Sequence, residues 1–222
     1  SRDQSIIAID NVEIYINSKG LSSIRAGKKS ISIKEPLELR SWYKIKVKIS
    51  INGNVSISQK ALKYKDKKEI TNKGKLIIIK DVSSKVSLAA IISKGVASNY
   101  FNGKIESPQI KIDNKIIGDW DLSSNTSSTT VDSIVGPMLK LKNFPTRAVT
   151  GSKWDSSEMN WQHKPKHYAA IHFHEDDIYD FEWDTDFKFT VPKNMPSGIY
   201  IMKIKCEEHE DSMPFFVAPT IN

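Results

Sequence analysis

Residues 43–59 constrain the fold more than any other stretch. Tyr43-Lys-Ile-Lys-Val-Lys-Ile-Ser-Ile51 alternates apolar and polar side chains, and Val55-Ser-Ile-Ser-Gln59 resumes the alternation after Asn52-Gly53. A period of two sends successive side chains to opposite faces of a strand, whereas a helix repeats every 3.6 residues. Asn-Gly between two such runs is a hairpin signal, because both residues accept positive φ at little cost. A hairpin with one Ile/Val face and one Lys/Ser face needs a second apolar layer on its inner side only. Val12-Glu-Ile-Tyr-Ile16 and Ser30-Ile-Ser-Ile33 repeat the pattern. Leu76-Ile-Ile-Ile79 reads as a more fully buried strand, and Asn72-Lys-Gly74 before it reads as a turn. Residues 86–93 and 100–112 complete the set, with no helix of three turns. Many short strands separated by turn residues predict an all-β sandwich or jelly roll.

The 222 residues suffice for one large β domain or two smaller ones. No apolar run approaches the ~18 residues of a membrane helix. The start, Ser1-Arg-Asp-Gln4, has neither a signal-peptide pattern nor an initiator Met, so the chain reads as processed or excised from a longer one. The single cysteine, Cys206, excludes an internal disulfide and favours a reducing, cytoplasmic setting over a secreted one. The net charge of +7 divides unevenly: residues 1–115 carry 23 Lys/Arg against 10 Asp/Glu, and residues 116–222 carry 10 against 16. The basic residues are not interleaved with aromatics, which argues against nucleic acid as a partner.

This divides the chain into a basic module (1–117), a linker (118–142) and an acidic module (143–222). The linker is polar around Ser123-Ser-Asn-Thr-Ser-Ser-Thr-Thr130, with Trp120 and Leu122 as apolar anchors. In the last module Asp186-Phe-Lys-Phe-Thr-Val191, Ile199-Tyr-Ile-Met-Lys-Ile204 and Met213–Val217 read as strands. Pro192-Lys-Asn-Met-Pro-Ser-Gly198 reads as a turn, with Gly198 in an unusual φ and Tyr200 at its corner.

Chemistry-bearing residues gather between 143 and 186. On a strand over 169–174, His172 and His174 share a face at ~6.5–7 Å spacing, and Asp176 continues it. His-x-His-x-Asp is a candidate Zn²⁺ or Fe²⁺ ligand set; the alternative is that these side chains bond to loops or to a neighbouring domain. Seven acidic residues and no basic one lie between Glu175 and Asp186, including Asp177 and Asp180. They form either a Ca²⁺-type loop without regular ligand spacing or a solvated face. A glycosidase pair drawn from Glu175, Asp177 and Glu182 lacks a defining cleft. Arg147 is a candidate partner of the acidic loop through a bidentate ion pair. Arg147, Trp154, Glu175, Asp177, Asp180 and Trp183 are the candidate binding or interface residues, and no residue is assigned a catalytic role.

Two resemblances follow. Pro36-Leu-Glu-Leu-Arg-Ser-Trp-Tyr43 before the hairpin, and Tyr100-Phe-Asn-Gly-Lys-Ile-Glu106 later, resemble elements of a laminin-G or concanavalin-like jelly roll. That resemblance implies a core Trp42 and a tight turn at a positive-φ Gly103, and it admits carbohydrate or Ca²⁺ binding by a stand-alone module. Asn143-x-Pro-Thr-Arg-Ala-Val-Thr-Gly-x-x-Trp154, His167-Tyr-Ala-Ala-Ile-His-Phe-His-Glu-Asp-Asp-Ile-Tyr-Asp180, Ser197-Gly-Ile-Tyr200 and Pro214-Phe-Phe-Val217 resemble the large (β) subunit of bacterial N,N-dimethylformamidases. The family resemblance implies a jelly roll followed by an immunoglobulin-like sandwich. It places a mononuclear iron, held by two tyrosines and a glutamate, in a catalytic domain that follows Phe-Phe-Val. No iron ligand is carried onto this chain, so no cofactor is expected within it. Its implied partners are that catalytic domain or other subunits, with no membrane.

Overall fold

A computed structural model describes residues 2–9, 11–63, 68–77, 85–112, 115–175, 181–185 and 187–219. In chain order the strands are β1 (Gln4–Ile9), β2 (Val12–Ile16), β3 (Ser22–Ala26), β4 (Lys29–Ser32), β5 (Tyr43–Ile49), β6 (Asn54–Ala61), β7 (Ile70–Lys75), β8 (Val86–Leu88), β9 (Ile91–Ser93) and β10 (Val96–Ser98). They continue as β11 (Gly103–Glu106), β12 (Gln109–Ile112), β13 (Lys115–Trp120), β14 (Thr130–Val131), β15 (Ser133–Val135), β16 (Leu139–Lys140), β17 (Thr146–Val149), β18 (Ala170–Phe173), β19 (Gly198–Cys206) and β20 (His209–Val217). The protein is all-β and every strand pairing is antiparallel; the only helical element among the described residues is one 3₁₀ turn, Pro165–His167. The chain forms two compact units, residues 1–177 and 178–222.

In the first unit a five-stranded sheet, β4-β3-β2-β1-β8, faces a three-stranded sheet, β5-β6-β7. Ile24, Ala26 and Ile33 from one side meet Val55, Ile57 and Leu76 from the other. Ile24, Ile33 and Ile57 are wholly buried, each contributing ~1.5–3 kcal/mol of transfer free energy. The inward Ile/Val face of the hairpin is therefore covered, as its alternation demands.

The hairpin itself pairs Tyr43 with Ala61 through Ile49 with Val55. Its loop runs Ser50-Ile-Asn-Gly53, closed by Gly53 N–H donating to Ser50 C=O (2.9 Å) and Ser50 N–H donating to Asn54 C=O (2.9 Å). The tighter Asn-Gly turn of the sequence reading is thus lengthened. Gly53 keeps its role, with φ of 80° and the Leu76 carbonyl pressed where a Cβ would stand.

Asn72-Lys-Gly74 departs from expectation, because it lies inside β7 rather than in a turn. Ile31 explains the glycine: an added Cβ at 74 would stand 2.6 Å from its Cδ1. Glycine here permits close sheet-to-sheet approach. Of the expected strand at Leu76–Ile79, Leu76 is buried and Ile77 exposed, while Ile78 and Ile79 lie outside the described residues. Trp42 is half-buried. At Gly103 φ is 158°, close to extended, and the ring of Phe101 accounts for the glycine, lying 2.7 Å from where a Cβ would stand.

A second core within the same unit gathers Ala89, Ile105, Trp120, Leu122, Val131 and Ile171. Trp120 is 1% exposed and its indole N–H donates to Pro137 C=O at 2.8 Å. Residues 118–142, read from sequence as a linker, thus contain four short paired strands or strand ends and three core side chains, Trp120, Leu122 and Val131. β11 from the basic half pairs directly with β18 from the acidic half, Ile105 opposite Ile171.

The second unit centres on the nine-residue-a-side hairpin β19–β20, pairing Gly198 with Val217 through Cys206 with His209. Residues 187–191 form no strand, which corrects the expectation from their alternation. Phe189 instead packs edge-on against Phe215, ring centroids 5.6 Å apart, and Tyr200 stacks on Phe215 at 5.5 Å. Side-chain packing there substitutes for a backbone ladder. The Tyr200 hydroxyl donates to Pro196 C=O (2.8 Å) across the turn, and Gly198 keeps an ordinary φ.

Candidate functional site

A cluster of polar side chains sits on the three-stranded sheet β11-β18-β17 and the loop that joins β17 to β18. β17 carries a bulge: Thr146 pairs with His172 and Val149 with Ala170, so Arg147 and Ala148 together oppose one residue. Ala148 takes φ of 53° to make it. The bulge turns Arg147 toward residues 124–130. Its Nη1 donates to the carbonyls of Asn125 (2.7 Å), Thr130 (3.0 Å) and Ser128 (3.2 Å), and its Nη2 to Ser124 C=O (2.7 Å). Burial pushes the guanidinium pKa down, and the charge of Asp132 opposes the shift. The ion pair expected with the acidic loop is replaced, among the described residues, by this grip on backbone carbonyls. A planar five-donor group suits carbonyls converging from one loop.

His172 and His174 lie side by side, ring centroids 5.0 Å apart and tilted by 47°. His174 Nε2 is 3.0 Å from Thr146 Oγ1 across the sheet. Asp176, the third residue of the candidate metal set, lies outside the described residues, as do Asp177 and Asp180. Among the described residues no three His, Cys, Asp or Glu side chains converge in a way that would hold a metal ion. Glu175 pairs with Arg2.

The loop over 150–168 is braced from within. At its base Gly151 N–H donates to His167 C=O at 2.8 Å. Glu106, on β11, accepts from Ser152 N–H (2.6 Å) and Ser152 Oγ (3.1 Å). The carboxylate passes so close over Gly151 that a Cβ there would meet Oε2 at 2.6 Å. Higher up, Tyr168 Oη donates to Glu158 C=O (2.8 Å), Lys164 Nζ to Ser157 Oγ (2.8 Å), and His163 Nδ1 lies 3.2 Å from Glu158 Oε2. The Asn160 backbone N–H, then His163, holds the Glu158 carboxyl below the usual carboxylate range; the Ser157 hydroxyl and N–H do the same for Asp155. His167 Nδ1 is 3.4 Å from Asp155 Oδ1, close enough for attraction but not aligned as a hydrogen bond.

The loop thus commits its polar groups to its own shape and presents Trp154, Met159 and Trp161 partly or largely to solvent. Glu106, Ser152 and Gly151 were missed as a unit by sequence reading. Glu106 lies 46 positions from Ser152, and only the β11–β18 pairing brings them together. In the second unit Trp183 is 81% exposed and packs against Phe181, centroids 5.0 Å apart.

Fold and geometry define an all-β chain of antiparallel sheets that displays Trp154, Met159 and Trp161 on a braced loop. Comparison with known proteins sharpens that class. Residues 146–221 match the family described as N,N-dimethylformamidase beta subunit-like, C-terminal. The chain is 34% identical over 145 residues to the N,N-dimethylformamidase beta subunit of Alcaligenes sp, covering 54% of this chain and 19% of that protein. It is equally similar, 34% over 144 residues with the same coverages, to the N,N-dimethylformamidase beta subunit of Paracoccus aminophilus. The matched part spans about a fifth of the length of these curated relatives. No helix among the described residues is long and apolar enough to cross a membrane.

Proposed function

We propose that this chain is a non-catalytic scaffold and assembly region of an N,N-dimethylformamidase-like large subunit, a laminin-G-like jelly roll followed by an immunoglobulin-like module. Its partners are a catalytic domain of the same subunit or other subunits of the assembly. The observation that carries the reading is the apolar face of the β19–β20 hairpin, which lies within the family-matched residues. On that face Ile199 pairs with Phe216 and Ile201 with Pro214, and Ile199 and Phe216 are 72% and 75% exposed. A two-stranded ribbon is marginal on its own, and contiguous exposed apolar surface marks an interaction site.

The test is purification of the chain alone, followed by assays for N,N-dimethylformamide hydrolysis and for bound iron, and by co-expression with the remainder of a relative's β subunit. No turnover, no stoichiometric iron and co-purification are expected. Hydrolysis by the isolated chain overturns the reading.

A further inference from the structure

The outer face of the β5-β6-β7 sheet carries a grid of cations. Cross-strand register places Lys44 beside Lys60, Lys46 beside Ser58 and Thr71, and Lys48 beside Ser56 and Lys73, with Asn54 beside Lys75. All six lysines are exposed. Like charges set directly opposite each other in a sheet are destabilising, so the arrangement has a cost in the isolated chain.

One carboxylate shows what the face accepts. Glu69 takes a hydrogen bond from Ser58 Oγ (2.5 Å) with Lys46 Nζ at 3.6 Å, and the Ser58 hydroxyl is the main reason its carboxyl is held below the usual range. Lys46, Lys48, Ser56, Ser58, Glu69 and Thr71 line a recess of about 240 Å³. Two residues further along the strands, Lys48, Ser56 and Lys73 repeat the same hydroxyl-and-ammonium chemistry. Among the described residues no carboxylate lies within ion-pair distance of Lys48 or Lys73.

The face contains no arginine to fork onto phosphate and no aromatic to stack on a base, which favours carboxylates over nucleic acid. The complementary charge is carried by the chain itself, since residues 116–222 hold 16 acids against 10 bases. The turn between β19 and β20 presents Glu207 and Glu208 to solvent, flanked by Asp211, while Glu210 is already held by Lys203 and Lys205. We infer that the lysine face is a docking surface for the acidic β19–β20 turn of a second copy of this chain. The contact is head-to-tail, so each copy offers one basic and one acidic site.

Reciprocal charge reversal tests this, with sedimentation velocity at low and high salt as the readout. The wild-type chain is expected to self-associate at low salt and to dissociate as salt screens the contact. Lys48→Glu/Lys73→Glu and Glu207→Lys/Glu208→Lys are each expected to raise the dissociation constant roughly tenfold or more. Mixed together, the two variants are expected to restore a one-to-one complex, because the intact basic face of one meets the intact acidic turn of the other. Far-UV circular dichroism and Lys48→Gln/Lys73→Gln, which removes charge without adding any, separate loss of docking from loss of fold. A wild type that stays monomeric at low salt overturns the inference. So does association that survives either reversal, or a mixture that fails to pair. Binding of the monomer to heparin or to anionic vesicles, without self-association, would reassign the face to another polyanion. None of these outcomes bears on amide hydrolysis, so this test and that of the scaffold reading fail separately.

Discussion

Replacing Arg147 with alanine should release the 124–130 segment from the body of the first unit. The guanidinium makes four hydrogen bonds to backbone carbonyls, three of them in part-buried surroundings. A net ~1 kcal/mol for each part-buried bond gives about 3 kcal/mol. For a domain of this size that corresponds to a melting-temperature drop of roughly 6–12 °C. Arg147→Lys keeps the charge but brings one point donor in place of a planar fork. It should recover less than half of the loss. Thermal melts by circular dichroism measure the stability. Limited proteolysis reads the mechanism, because cleavage between residues 122 and 131 should accelerate well before global unfolding. An alanine variant that melts within a degree of wild type, or one that is destabilised without new cleavage in that segment, would refute the argument that the bulged β17 fastens it.

Three further outcomes follow from the same structure. Ile57→Ala, at a wholly buried position between the two facing sheets, should cost about 2–5 kcal/mol in urea unfolding; a cost under ~1 kcal/mol would mean the core is not packed as described. Gly151→Ala should displace the Glu106 carboxylate from Ser152 and raise proteolysis at 155–164 with only a small change in melting temperature. Glu69, Asp155, Glu158 and Glu210 all have depressed carboxyl pKa values, caused chiefly by Ser58, Ser157, the Asn160 N–H and Lys203 respectively. Depressed folded values stabilise the fold above the unfolded pKa of about 4 and lose that stabilisation as pH falls through them. Melting temperature should therefore hold from neutral pH to about pH 5 and then fall, less steeply in Glu158→Gln; an identical acid limb in that variant removes Glu158 from the account.

The strands that alternate most regularly were the legible part of the fold. Val12–Ile16 is β2 as read, and the Tyr43 hairpin forms with its apolar face inward, because burying one face of a period-two segment fixes both pairing and register. Asn72-Lys-Gly74 misled because glycine marks close approach as well as turns, and only the position of Ile31 tells the two apart. Residues 187–191 alternate but pack through Phe189 without a ladder, which periodicity does not reveal. At the candidate site, His172 and His174 lie side by side as expected, although β18 ends at Phe173, one residue short of His174. Among the described residues Arg147 meets carbonyls and not the acidic loop, because its direction is set by a bulge that has no signature in the residue types around it. The Glu106–Ser152 contact joins segments far apart in sequence, and nothing local in either one announces the other.

The base of the 151–168 loop carries a consequence for how this surface can change over time. Gly151 and His167 are joined across the neck by a backbone bond, with Glu106 bolted to Ser152 beside it. Among the described residues, the hydrogen bonds of 153–166 run within the loop and to its two ends, not to the sheet. The tip can therefore gain, lose or exchange residues, recasting the Trp154, Met159 and Trp161 display, while the strands beneath keep their register. Relatives that dock different neighbours should diverge between residues 154 and 164 and agree at the neck, and a foreign segment grafted between those positions should be carried without unfolding its host.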